Sequence, residues 1–562
     1  MSDAPAPENT TQKLRGGYYT PPAIARFLAN WAAQNLCDEI LEPSCGDGEL
    51  LTAAAQRLLS LGATPEQIGA QIQGVELFAS EAERARARLL ALGIAQTNAV
   101  AVCDFFDFED QAWGLVGRRF DAVVGNPPFL RYHSFPEAQR ERAFRIMRTA
   151  GLKPTRLTNA WVPFLIAASL RLKDSGRLAM VIPAELLQVK YAEETRTFLA
   201  RHFGSLTIIT FRRLVFADIQ QEVVLLLAEK TPRIESGIDV IELEDADDLA
   251  NYQVTLRERR HLKTIDHEQE KWIKYYLDAD EIELLRQAKR HPALKRFGQL
   301  GCVDVGVVTG NNAFFVLNQE QISHWQLENL TIPLVGRSAQ LPGLVLSAAE
   351  WESLREKNGL CSLLKLPEIL FDDLPEAAQK YVQQGESEGA ADGFKCRNRK
   401  FWYVAPSLWT PDAFLFRQIY HYPKLVLNPA RAISTDTIHR VRYHQPEQGA
   451  QITASFMNAL TFAFSETMGR SYGGGVLELE PNEADALPVP YFASVTLDFE
   501  AIDRLERAGN IEAILEITDA ALLRDALHFD AADIARFRRI WRKLSGRRVG
   551  RKGPRCKIST QE

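Results

Sequence analysis

The sequence predicts an α/β architecture for roughly its first 230 residues, a parallel sheet with helices on both faces, and a mixed α+β domain after it. Three observations carry that prediction. From Leu14 to Lys230, apolar runs of strand length alternate with stretches of helical period. After "LLLAEKTPR" the alternation stops, and residues 234–274 are polar and charged with few core positions. Beyond residue 297 the strands are short and the loops long and rich in Gly, Asn and Pro, as in "DVGVVTGNNAFFVLN" and "SYGGGVLELEPNEADALPVPY". A chain of 562 residues also exceeds what one core organises. The expected divisions are 14–230, a connector with a helix at 231–290, a second domain with C-terminal helices at 291–545, and a basic tail at 546–562.

Strands are expected at 39–41, 71–77, 99–103, 120–124, 177–182, 205–210 and 222–228. Helices are expected between most of them. Segments 23–35 and 52–60 carry apolar residues at i, i+3 and i+4, and 160–172 ("AWVPFLIAASLRL") reads as a core-facing helix with Pro163 near its start. The last two strands follow one another without a long helix, which predicts an antiparallel pair at one sheet edge. A helix at 278–291 opens the second unit, and 497–544 is helical again.

Composition narrows the class. With 46% hydrophobic and 25% charged residues, and no apolar run of bilayer length, the chain reads as a globular protein with no membrane partner. The polar start "MSDAPAPENTTQKLRGG" lacks the apolar core of a signal peptide, so a cytoplasmic location is expected. Seven cysteines without a CxxC pair suggest reduced thiols and neither a disulfide framework nor a metal site. Net charge is −6, yet "RFRRIWRKLSGRRVGRKGPRCK" (536–557) holds eleven Lys or Arg and no Asp or Glu. Such a cluster is either a phosphate-binding segment or a solvated basic tail.

The first chemical motif is "ILEPSCGDGELL", a strand, an acidic residue, a loop with Gly46 and Gly48, and a helix. Glycines there let backbone approach a ligand and leave helix N–H groups to receive it. Glu76 closes "QIQGVEL" and Asp104 follows "AVAVC", so three consecutive strands each present a carboxylate at the same edge, where open α/β sheets bind ligands. Glu76 suits two ribose hydroxyls and Asp104 an adenine amino group. There is no GxxxxGK[ST] to hold a triphosphate, so a nucleoside cofactor without phosphates, S-adenosylmethionine, fits. The fourth strand ends in "GNPPF", Gly125 to Phe129. An amino group on a ring is a poor nucleophile. An Asn126 oxygen and a backbone carbonyl aimed by Pro127 and Pro128 can accept its two hydrogens and turn its lone pair toward a sulfonium methyl, while Phe129 stacks on the flat base.

The segments "GGYYTPPAIARFLA", "LEPSCGDGEL", "GVEL", "CDFF" and "NPPF", in that order, resemble the TaqI-like N6-adenine DNA methyltransferases of the gamma motif order. The resemblance implies a Rossmann-like class I S-adenosylmethionine-dependent catalytic domain followed by a target-recognition domain. It implies that Tyr19, Thr20 and Pro21 cover the methionine part of the cofactor and that Glu42, Ser44, Gly46 and Gly48 form its loop. Glu76 would hold the ribose, Asp104 and Phe105 the adenine, and Asn126, Pro127, Pro128 and Phe129 the target base. "RLVFADIQQEVVLLL" resembles the stretch that supplies a second stacking aromatic, placed at Phe216. The implied reaction is a direct methyl transfer to adenine N6 of a flipped base in duplex DNA, with no metal and no covalent intermediate. A separately encoded restriction endonuclease is the implied partner, and a monomer the implied state.

In the second domain, "KCRNRKFWY" interleaves Lys395, Arg397, Arg399 and Lys400 with three aromatics, and "NPARAI" carries Arg431. These five cations are the candidate DNA contacts, against a reading as surface charge beside a small core. Asn428-Pro429 lacks the second proline and the strands before it, and is no second active site. Three alternatives stand beside this reading: an NPP-type enzyme acting on RNA or a protein glutamine, a bifunctional restriction–methylation enzyme, and a non-catalytic DNA-binding relic. No PD…(D/E)xK pattern supports a nuclease, and the intact "NPPF" argues against a relic.

Overall fold

The structure is a computed structural model that describes residues 19–107, 117–216, 222–232, 237–250, 252, 270–472 and 475–550. Backbone contacts divide the chain into two compact units, one running through Tyr276 and the other from Leu277 through Val549, with 472–475 grouped with the first.

The first unit starts with α1 (Pro22–Ala32), where Pro22 pre-sets the first turn and Ile24, Leu28 and Trp31 fall on the buried face. Then follow β1 (Ile40–Glu42), α2 (Glu49–Leu61), α3 (Pro65–Gln71), β2 (Ile72–Glu76), α4 (Ala79–Ala91), β3 (Val100–Val102), β4 (Phe120–Gly125), α5 (Glu137–Thr149), α6 (Trp161–Leu170), β5 (Leu172–Pro183), α7 (Glu193–His202), β6 (Ser205–Phe211), β7 (Val223–Glu229) and β8 (Asp239–Leu243). Among the described residues they form one eight-stranded sheet of order β3-β2-β1-β4-β5-β7-β6-β8. β1, β2, β6 and β7 are buried along their whole length, as strands covered by helices on both faces must be.

The order reverses at β1. The chain runs outward through β2 and β3, then returns to place β4 on the other side of β1, both pairings parallel. That switch point opens a crevice beyond the carboxyl ends of β1 and β4.

At the far side the expectation needs two corrections. β7 is antiparallel to both β5 and β6 and lies between them, so the antiparallel pair is not at the edge. The edge is β8, which pairs parallel with β6 inside the stretch expected to be a connector. Its side chains are only half-buried, so the apolar density that marks a strand in sequence is thin there.

The second unit opens on the helix Ala279–Arg290, as expected from the sequence, so the boundary drawn at 290 moves to Leu277. It contains two four-stranded sheets. One joins Gly301–Asp304, Ile438–Tyr443, Ala413–Phe416 and Leu425–Leu427; the other joins Val316–Leu317, Ser362–Leu364, Thr331–Val335 and Ile433–Ser434. The helix Ala531–Gly550 carries most of the basic segment. Many of its charges are matched within this unit: Arg538 pairs with Asp519, Arg539 and Lys543 with the fully buried Glu281, and Arg548 with Glu466 in the interior, while Arg542 pairs with Glu512 at the surface. This part of the basic run ties the helix to its own unit. Residues 551–562 lie outside the described residues.

Candidate active site

A cavity of about 830 Å³ opens at the carboxyl ends of β1 to β4. That is the size of a cofactor pocket. Its wall includes Tyr19, Thr20, Glu42, Ser44, Gly46, Glu76, Asp104, Phe105, Asn126 and Pro128. Residues spread over more than a hundred positions of sequence thus meet at one place.

The glycine loop follows from its backbone. Gly46 and Gly48 adopt φ +52° and +86°, and a Cβ on Gly48 would stand 2.7 Å from Ala85 Cβ on α4. Gly48 therefore has neither a conformation nor a space for a side chain. It caps α2 with no side-chain acceptor, which leaves the helix N-terminus facing the crevice. At Gly46 no atom lies within 4 Å of where a Cβ would stand, and its N–H donates to Glu76 Oε2 at 2.9 Å. Gly48→Ala is expected to cost about 1–3 kcal/mol through strain and overlap and to weaken cofactor binding; thermal melting and calorimetric titration with S-adenosylmethionine check both.

The three carboxylates differ in surroundings. Glu76 Oε1 accepts from Phe78 N at 2.9 Å; burial raises this acid, and the backbone donors of Phe78, Gly46 and Leu77 pull the other way. Each oxygen keeps a second lone pair for a hydroxyl. Asp104 is raised by burial, accepts from Phe106 N at 3.0 Å and faces Arg142 at 3.4 Å. Glu42 is 2% exposed, and its Oε2 has no hydrogen-bond partner among the described residues. Burial, with Asp47, Glu76 and Glu49 nearby, holds its carboxyl well above the usual range. An orphaned buried acceptor beside a space for a ligand fits a cationic, donor-bearing cofactor of the S-adenosylmethionine type.

The sign of the Glu42 effect on stability is definite. Below the unfolded-chain value, about 4.3, the acid is neutral in both states. As pH climbs past it, the unfolded chain ionises first, so the folded state loses stability up to its own raised pKa and does not regain it above. Glu42→Gln is therefore expected to raise the melting temperature of the cofactor-free protein at pH 8, with the gain vanishing toward pH 4.

Asn126 sits at the end of β4. Its Nδ2 donates to Thr20 Oγ1 at 3.2 Å, and its backbone carbonyl accepts from Ser44 Oγ at 3.3 Å. With Nδ2 committed to a buried threonine, Oδ1 is the end of the amide suited to accept a substrate N–H. Pro127 is buried and Phe129 half-buried, packed against the core of the sheet beside the cavity and not on its wall, which Pro128 and Leu130 line. Pro21 caps α1 behind Thr20. Tyr19 is 43% exposed, and its hydroxyl donates to Glu81 at the rim.

Phe216 is not brought to the cavity wall. It is 5% exposed and belongs to the apolar cluster under the sheet, so a stacking role is not built into its position here. The rest of that stretch, 217–221, lies outside the described residues. Cys45 and Cys103 do line the cavity. Burial raises both thiols, Cys103 to about 11, so neither is a thiolate nucleophile near neutral pH.

Other wall residues had no motif to announce them. Phe164 of α6 stacks on Phe105 at 5.6 Å and meets Phe106 edge-on at 4.7 Å, closing the cavity floor with Phe135. The only sequence signal for Phe164 was the apolar helix period of 160–172. In the second unit Lys395, Arg397, Lys400 and Arg431 are exposed as expected for surface contacts. Arg399 is not: it donates to Val308 O at 2.7 Å and to Val404 O, which makes it a loop tie. The aromatics of "KCRNRKFWY" turn into the core, Trp402 against Phe314 and Tyr403 buried, so the interleaving marks a core boundary. Asn428 is buried and ties Pro411 and Ala432.

Residues 7–289 match the family described as N-6 DNA Methylase, and residues 269–523 match the Type II methyltransferase M.Eco57I, C-terminal domain. The chain is similar to the Type II methyltransferase M.XamI of Xanthomonas campestris pv. amaranthicola, 24% identical over 486 residues that cover 84% of this chain and 85% of the relative. It is similar to M.AccI of Acinetobacter calcoaceticus at 22% over 493 residues, 83% of each chain. In fold it is similar to the Type IIL restriction-modification enzyme MmeI, solved in complex with DNA, with a TM-score of 0.55 and 12% identity over 92% of this chain and 71% of that one. A match over half its length, across the cavity and the sheet that builds it, decides the class: the chain belongs to the N-6 DNA methylase family.

Proposed function

We propose that the protein transfers the methyl group of S-adenosylmethionine to the N6 amino group of adenine within a short duplex DNA sequence, as the modification component of a restriction–modification system. Membership of the family supplies the reaction class. One observation supports the residue assignment: Asn126 of β4 and the glycine loop after β1 share one cavity across the switch point, tied by the Ser44 and Thr20 hydrogen bonds.

The cofactor supplies the activated methyl. Thr20 and Ser44 hold the Asn126 loop so that Oδ1 and a proline-fixed carbonyl accept the two amino hydrogens. Held by these two acceptors, the amino nitrogen would become pyramidal with its lone pair aimed at the methyl that a bound cofactor would donate, and one proton would leave to water. Phe129 gives the extruded base an aromatic face, which offsets part of a flipping cost of a few kcal/mol. Duplex DNA is the proposed substrate, a separately encoded endonuclease the proposed functional partner, and a monomer the proposed state. The proposed catalytic domain extends the division at 14–230 past β8 to Tyr276, and the proposed target-recognition domain starts at Leu277 with the helix Ala279–Arg290.

The test is transfer of labelled methyl from S-adenosylmethionine to duplex DNA, total RNA and a protein extract, followed by nucleoside analysis. Label in N6-methyldeoxyadenosine within one sequence context supports the proposal. Label confined to RNA or to glutamine would move the reaction to another planar amino group.

A further inference from the structure

The five cations nominated from sequence in the second unit include no guanidinium that the fold both exposes and orients. The structure contains one elsewhere. Strand Ile438–Tyr443 is buried at every position except Arg442. The Arg442 guanidinium lies over the Trp409 ring, 4.5 Å from its centroid, and Arg440 lies 4.4 Å from the same centroid. The two arginines have opposite fates. Arg440 is 2% exposed and fully engaged, donating to Val305 O, Ser407 O and Asp304 Oδ2 at 2.9, 2.6 and 2.9 Å. It anchors the indole to the sheet. Arg442, one pleat along on the same face, faces Cys302 across the ladder and pairs with no carboxylate among the described residues.

Among the described residues, the exposed arginines of this unit that pair with no carboxylate are Arg296, Arg337, Arg397, Arg431 and Arg442; Arg442 alone lies over an aromatic ring. Stacking fixes the plane of a guanidinium and lowers the entropy lost when its fork is used. The surrounding backbone is fixed as well. A Cβ on Gly306 would stand 1.9 Å from Thr435 O, and Val307 N donates to Ser434 O at 2.7 Å, so the loop after Gly301–Asp304 is pressed against the neighbouring strand end. The same loop is tied by Arg399 at Val308 and meets Lys395 at Gly310, where a Cβ would stand 2.8 Å from the lysine Cβ. An exposed guanidinium held over an indole, with no carboxylate partner among the described residues, offers the donor fork that the O6/N7 edge of guanine accepts in the major groove.

We propose that Arg442 is a specificity-determining residue of the DNA methylation reaction, reading one guanine of the recognition sequence, and that Trp409 is its positioning residue. The inference rests on the DNA-methyltransferase reading above. Methylation-aware sequencing of DNA from a methylation-deficient host expressing the wild type defines the recognition sequence. Duplexes with that sequence and each single-base variant are then methylated by the wild type, Arg442→Ala, Arg442→Lys and Trp409→Leu.

Arg442→Ala is expected to lose roughly 10- to 100-fold of discrimination at one G·C position while keeping it at the others. Arg442→Lys keeps the charge but not the fork and is expected to fail at the same position. Trp409→Leu is expected to show a smaller loss there. A uniform fall in rate over all sequences with a shallower salt dependence would assign Arg442 to a phosphate and overturn the inference. Unchanged discrimination in Arg442→Lys would overturn it too, and so would a lowered melting temperature in that variant with only uniform loss. A wild type that methylates no DNA sinks the functional reading itself, a distinct result.

Discussion

Asn126→Ala is expected to slow methyl transfer by about 10²–10³-fold while leaving cofactor affinity near that of the wild type. In the proposed reaction the side chain acts where charge and geometry change, so its loss is expected to fall on the chemical step. Its backbone carbonyl, the Ser44 bond and the carboxylates of Glu42, Glu76 and Asp104 remain in place, so the cofactor wall survives. Asn126→Asp keeps an acceptor oxygen but loses the donor that fixes it on Thr20, and is expected to fall between the two. Single-turnover rates at saturating cofactor, with calorimetric titration of S-adenosylmethionine alongside, separate the effects. A variant as fast as the wild type would remove Asn126 from the reaction, and a variant that no longer binds cofactor would make it a wall residue.

The largest expected effect on stability lies in the second unit. Arg548 and Glu466 are 2% and 3% exposed at their side chains and share two contacts, with Arg548 also donating to Tyr420 O at 2.9 Å. Burial raises the Glu466 acid, and Arg548 opposes that. Removing one partner strands the other charge in a dry interior. Arg548→Ala or Glu466→Ala is thus expected to cost about 3–5 kcal/mol, whereas the double replacement by methionine recovers most of it. Urea unfolding of the wild type, Arg548→Met, Glu466→Met and the double-methionine variant forms the double-mutant cycle. Equal losses in single and double variants would mean that packing, not the ion pair, holds the helix Ala531–Gly550 in place.

The sequence was most informative where a local rule has a local cause. The strand-to-helix loop is legible because only glycine tolerates φ +86° against Ala85. β1, β2, β6 and β7 are legible because strands buried along their whole length are largely apolar. β8 was missed because a half-buried edge strand has no such requirement, and its polar alternation looks like a connector. Phe216 and Arg399 show the limit for side chains. An aromatic or a cation announces its chemistry in sequence, but whether it faces a cavity or a carbonyl depends on residues far away.

The same limit applied to charge. The basic run at 536–557 is conspicuous as letters, yet Arg538, Arg539, Arg542, Lys543 and Arg548 are each matched to a carboxylate 19 to 262 positions away. Sequence alone carries the motifs that point to the reaction class: three strand-end carboxylates, a glycine loop and an asparagine followed by two prolines. Tertiary structure alone decided which of these groups share a cavity. The return of the chain to lay β4 beside β1 brings Asn126 within a hydrogen bond of Ser44 and Thr20, 82 and 106 residues earlier. Such contacts depend on strand order, which is set by how all the buried faces pack together and by no single stretch of sequence.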